Sequence, residues 1–118
     1  MGKDVGGPYT SSPTTEAWEP FELADGRTVG EAHLMRADED GSYYAGFWRV
    51  PAGDLPAPFD YVMELNETIH VIEGALTIEV AGGPTLELGA GDLASFEKGT
   101  ATRWTLREVP FREVFVLS

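Results

Sequence analysis

From Trp18 onward the chain is divided by turn signals that leave little room for helices. They fall at residues 24–26 (ADG), 38–41 (DEDG), 51–54 (PAGD), 73–74 (EG), 81–84 (AGGP), 89–92 (GAGD) and 97–99 (EKG). Gly supplies positive φ, Pro pre-sets φ, and Asp bonds its own backbone; each reverses a chain for a different physical reason. Between these points lie short segments that alternate in polarity or are rich in β-branched and aromatic residues, as in a β-sandwich or barrel. Nothing after residue 18 repeats with a helical period. An all-β fold is expected.

Side chains alternate between the two faces of a strand, so residue parity assigns faces. In LTIEV, Leu76, Ile78 and Val80 share one face, with Thr77 and Glu79 on the other. In YYAGFWRV both parities carry apolar groups, so this strand is expected to be covered on both sides. In ETIHVI, Glu67 lies with Ile69 and Val71, while His70 lies with Thr68 and Ile72. With the Ile69–Val71 face as interior, Glu67 points inward and His70 outward, so a regular strand cannot bring both to one metal ion.

The 118 residues suffice for one domain with a single core. Residues 1–17, rich in Gly, Pro, Ser and Thr, read as a flexible N-terminal arm, and residues 18–118 as the folded domain. Twenty acidic against eight basic side chains give a net charge of -12, which disfavours nucleic acid and anionic membranes as partners. The absence of cysteine excludes disulfides, thiolate nucleophiles and zinc–thiolate sites. With no apolar h-region in the first eighteen residues and no run long enough to span a bilayer, a cytoplasmic location is expected.

Four stretches in order resemble the cupin superfamily, and its cupin_3 branch in particular. AGFWRVPAG (45–53) is similar to the Gly-x-Trp strand of that branch, and NETIHVIEGALTIEV (66–80) to the first cupin motif from its Glu onward. LGAGDLASFEKGTATRW (88–104) resembles the second motif, and RWTLREVPFREVFVL (103–117) the ending common in the branch. The resemblance covers the last two thirds of the chain. It includes ureidoglycine aminohydrolase domains and the cupin domain of EutQ, and it implies a single-domain jelly-roll β-barrel (a double-stranded β-helix).

Metal-binding cupins carry His-x-His before the motif-one Glu and another His in motif two. Here the segment before Glu67 is FDYVMELN, and Thr102 stands at the motif-two histidine position. One surviving carboxylate is too few donors for a transition metal. No metal or other cofactor is expected. Tyr61, Met63, Thr102 and Trp104 are expected around Glu67 in place of the missing imidazoles.

Glu67 is a candidate general acid or base, since an aromatic cavity disfavours its charged form; an ion pair with Arg49 or Arg103 is the structural alternative. Tyr61 is the second catalytic candidate. Trp48, Met63, Thr102 and Trp104 are candidates for binding a small organic molecule. His33 is read as a core or surface residue rather than a ligand. His70, with the apolar Ile72 on its face, suggests a homodimer interface, in agreement with the family's habit of dimers.

Two functions stay open. One is a metal-independent acid/base enzyme of isomerase, cyclase, dehydratase or lyase type, working through Glu67. The other is a non-catalytic metabolite-binding or accessory cupin. A metal-dependent aminohydrolase ranks below both, because three of its four ligands are missing.

Overall fold

The computed structural model describes residues 7–118. The first six residues of the expected N-terminal arm therefore lie outside the described residues. Eight strands follow in sequence: β1 (Glu19–Glu22), β2 (Thr28–Ala37), β3 (Tyr44–Val50), β4 (Phe59–Val62), β5 (Glu67–Val80), β6 (Thr85–Gly89), β7 (Leu93–Phe96) and β8 (Ala101–Leu117). There is no helix among the described residues, so the all-β expectation holds.

All strand pairs are antiparallel, in the order β1-β2-β3-β8-β5-β6, with β4 also on β8 and β7 also on β5. The two longest strands, β5 and β8, pair along both of their halves. The first half of β8 carries β4, and its second half carries β3. The first half of β5 carries β7, and its second half carries β6. Two layers of a jelly roll thus share their central strands. Their inward side chains form one core, in which Phe111, Ile69, Val71 and Ile78 are fully buried.

One expected turn is not a turn. Glu73-Gly74 lies inside β5, where the register with β8 shifts between Val71 and Glu73, between Glu73 and Ala75, and again between Ala75 and Leu76. Gly74 has φ 86°, and a Cβ there would stand 2.7 Å from the carbonyl oxygens of both Glu108 and Pro110. The glycine bends the strand from one layer to the other without ending it. At Gly46 the demand is for space: a Cβ would overlap the His33 carbonyl oxygen at 1.9 Å, so glycine lets β2 close onto β3.

Residues 7–17 contain no strand, but several of them contact the outer face of β2 and β3. His33 Nδ1 donates to the Ala17 carbonyl at 2.9 Å, and its Nε2 is 2.7 Å from Ser11 Oγ. The imidazole stacks on Phe47, and Arg49 lies 3.8 Å over the Trp18 ring. His33 is therefore turned to the outer face, opposite Trp48. Among the described residues no helix is long and apolar enough to cross a membrane.

Candidate active site

Glu67 opens β5, and its position is fixed by the residue before it. Asn66 exchanges backbone hydrogen bonds with Ser118 at 3.0 and 2.9 Å, and its Oδ1 accepts the Lys98 N–H at 2.9 Å. The carboxylate that follows sits in line with Ile69 and Val71, both fully buried, while Thr68 and His70 are exposed. Parity placed these faces as the structure has them.

Around Glu67 lies a cavity of about 620 Å³, a size suited to a small organic molecule. Of the six residues singled out from the sequence, Glu67, Tyr61, Trp48 and Trp104 line it. Met63 and Thr102 do not: Met63 is 1% exposed inside the core, and Thr102 is buried behind the wall. Thr102 has a supporting task instead. Its hydroxyl donates to the Tyr61 carbonyl at 2.6 Å and accepts the Trp104 indole N–H at 2.8 Å. Trp48 is anchored likewise, donating its indole N–H to the Val29 carbonyl at 2.9 Å. Its ring meets those of Trp104, Phe59 and Phe111 at steep angles, an arrangement that suits the aromatic quadrupole.

The electrostatics of Glu67 follow from this wall. Burial raises its pKa from 4.5 to about 7, and the hydrogen bond from the Tyr61 hydroxyl restrains that rise. The Tyr61 phenol is itself held well above its ordinary value, by burial first and then by the nearby Glu67 charge, so it stays protonated and donates. The ion pair considered for Glu67 is absent among the described residues. Arg49 pairs with Glu31 at 3.0 Å, and Arg103 pairs with Asp60 at 3.0 Å. Glu67 Oε1 is buried and without a hydrogen-bond partner among the described residues.

A second carboxylate, not singled out from the sequence, lies in the same cavity. Glu113 is 2% exposed, its Oε1 likewise has no partner among the described residues, and its pKa is raised by burial and by the charge of Glu67. It stands between Trp48 on β3 and Val71 on β5. The signal was present in FREVFVL, where Glu113 shares the parity of Phe111, Phe115 and Leu117. A carboxylate in the middle of an apolar row is an expensive placement that packing does not require.

The donor set does not fit a transition-metal ion. Among the described residues no three His, Cys, Asp or Glu side chains converge. Glu67 and Glu113 face the cavity without an imidazole pointing in, and the Tyr61 phenol is held in its protonated form.

The family model of the EutQ-like cupin domain matches residues 37–115. Among solved structures, a DUF861-family protein of Thermotoga maritima is 29% identical, with a TM-score of 0.53 over 61% of this chain and 76% of that one. An ethanolamine utilization protein Q of Salmonella typhimurium is 20% identical, with a TM-score of 0.58 over 94% of this chain and 97% of that one. HppE, solved in an Fe(II) form with an alternative substrate, is 12% identical, with a TM-score of 0.71 over 98% of this chain and 62% of that one. No protein of curated function matches the chain.

Proposed function

The chain belongs to the EutQ-like cupin family, and from that premise we propose a metal-independent enzyme that performs acid–base chemistry on a small organic molecule in its barrel cavity. The observation that carries this reading is Glu67: buried, free of any cation among the described residues, and poised near pH 7. A general acid–base catalyst works best when its pKa lies near the working pH, because both protonation states are then populated. Glu67 is the proton shuttle. Tyr61 holds the Glu67 carboxylate through its hydroxyl, while Trp48 and Trp104 form apolar walls that exclude water. Met63 and Thr102 serve from behind the wall, Thr102 by fixing Tyr61 and Trp104. One positioned acid–base group contributes about 10²–10⁴-fold, which suits isomerisation, cyclisation, dehydration or elimination.

The test is Glu67→Gln, assayed with a panel of small metabolites. The variant is expected to fold while turnover of the bound ligand falls by about 10²–10⁴-fold. A variant as active as the parent would refute catalysis by Glu67. Ligand binding by the parent with no conversion would favour the accessory, metabolite-binding reading.

We also propose that the protein is a cytoplasmic homodimer. What supports the dimer is the outer face of the layer bearing His70, where Leu93 stands opposite His70 and is 69% exposed. Val114, opposite His70 on the other side, and Ile72 extend this apolar patch.

A further inference from the structure

The cavity wall has charge of only one sign. Its acidic side chains are Glu19, Glu64, Glu67 and Glu113, contributed by four separate parts of the fold, and among the described residues no Lys or Arg lines it. His33 touches the cavity, but its imidazole is engaged by Ser11, Ala17 and Phe47. The two innermost carboxyl groups, Glu67 and Glu113, are at least nine-tenths buried, both line the space, and each has a buried Oε1 without a hydrogen-bond partner among the described residues. A buried carboxylate without a donor or counter-charge is costly, and both groups lower that cost by holding their protons more tightly.

Much of the rest of the wall is aromatic, beside aliphatic groups such as Leu34 and Leu117. Phe21, Trp48, Phe59, Tyr61, Trp104 and Phe115 surround the same space. Aromatic faces attract a positive charge, and the attraction strengthens when that charge is desolvated. An anionic ligand would meet four acidic side chains and, among the described residues, no Lys or Arg to offset its charge. A neutral ligand would leave the two orphaned oxygens only partly compensated. A cation with an apolar body satisfies both the acidic and the aromatic parts of the wall.

We infer that the cavity is a recognition site for an organic cation, an amine or quaternary ammonium compound, with its charge set between Glu113 and Glu67 and its apolar body against the tryptophans. This rests on the proposed function and names the substrate class for that site. A neutral amine that enters takes the proton of a carboxylic acid and becomes an ammonium facing the carboxylate it has created, so charge and protons balance within the site. The net charge of -12 draws cations toward the protein before they reach the cavity.

The experiment uses four probes of similar shape: benzylamine, benzyltrimethylammonium, benzyl alcohol and phenylacetate, titrated calorimetrically into the full-length protein. Both cations are expected to bind, benzyl alcohol to bind more weakly, and phenylacetate not at all. Glu113→Gln should weaken the cations by about tenfold or more while leaving benzyl alcohol unchanged. Glu67→Gln serves as the second variant if Glu113→Gln does not fold. The inference is overturned if phenylacetate or benzyl alcohol binds as well as benzylamine. It is overturned equally if neither cation binds, or if neither variant weakens the cations. Cation binding without conversion of any amine would defeat the acid–base reading and leave this one standing. Turnover of a non-cationic compound that is lost in Glu67→Gln would do the reverse.

Discussion

The hydroxyl of Thr102 is bonded to the backbone carbonyl of Tyr61 at 2.6 Å, on the strand pair that aims the Tyr61 phenol at Glu67. The same oxygen accepts the indole N–H of Trp104, so one small side chain holds two parts of the cavity wall. Thr102→Val keeps the shape and removes both bonds, leaving a buried indole N–H without an acceptor. The expected loss is about 1–3 kcal/mol in denaturant unfolding. No change in stability would show that water replaces the hydroxyl.

Glu67 also links stability to pH. Its folded-state pKa, raised from 4.5 to about 7, means that the folded protein retains a proton that the unfolded chain releases. The contribution is fully present below about pH 4.5 and is lost as pH rises through about 7; burial shifts Glu113 in the same direction. For Glu67 the effect is on the order of 3 kcal/mol. Glu67→Gln should therefore be more stable than the parent at pH 8 and close to it at pH 4, as read from melting temperatures across that range. Identical pH profiles for the two proteins would contradict the burial of a titrating Glu67.

Tyr61→Phe separates the phenol from the acid. The Tyr61 hydrogen bond lowers the pKa of Glu67, so its removal lets burial act unopposed. The pH–rate midpoint assigned to Glu67 should move to higher pH, with activity retained in part. A profile that stays in place would show that the phenol does not contact the acid.

Gly74→Ala tests the bend in β5. The added methyl meets two carbonyl oxygens at 2.7 Å in a backbone with φ 86°. The expected cost is about 1–3 kcal/mol in stability. Full stability would mean that the bend is not fixed by that contact.

The proposed homodimer is open to a direct measurement. Leu93→Glu places a charge on the exposed apolar patch beside His70. Light scattering after size exclusion should give twice the chain mass for the parent and the chain mass for the variant. A parent that runs as a monomer would remove the proposal.

How far the sequence reveals this molecule depends on which physical rule governs each residue. The faces of Glu67, Ile69, Val71 and His70 were legible because period-two alternation leaves no other choice when one side is a core. The continuity of β5 was not. Glu73-Gly74 carries the chemistry of a reversal, yet its carbonyl neighbours arrive from Glu108 and Pro110, more than thirty residues away in sequence. Motif position placed Met63 and Thr102 beside Glu67, but their final environment comes from the β4–β8 pairing, which turns Thr102 onto the Tyr61 backbone. Glu113 was legible by parity alone; what its row did not show was that the cavity continues that far along β8.

Because β5 and β8 each run through both layers, neither layer can swing open like a door while the other stays shut. Glu67 hangs from one of these beams and Tyr61 from a strand clipped to the other. The gap between acid and phenol is thus set by hydrogen-bonded strands rather than by loops. On the proposed function, a guest would meet an acid and a phenol at a fixed spacing, and selectivity would come from what the interior accepts rather than from how it closes.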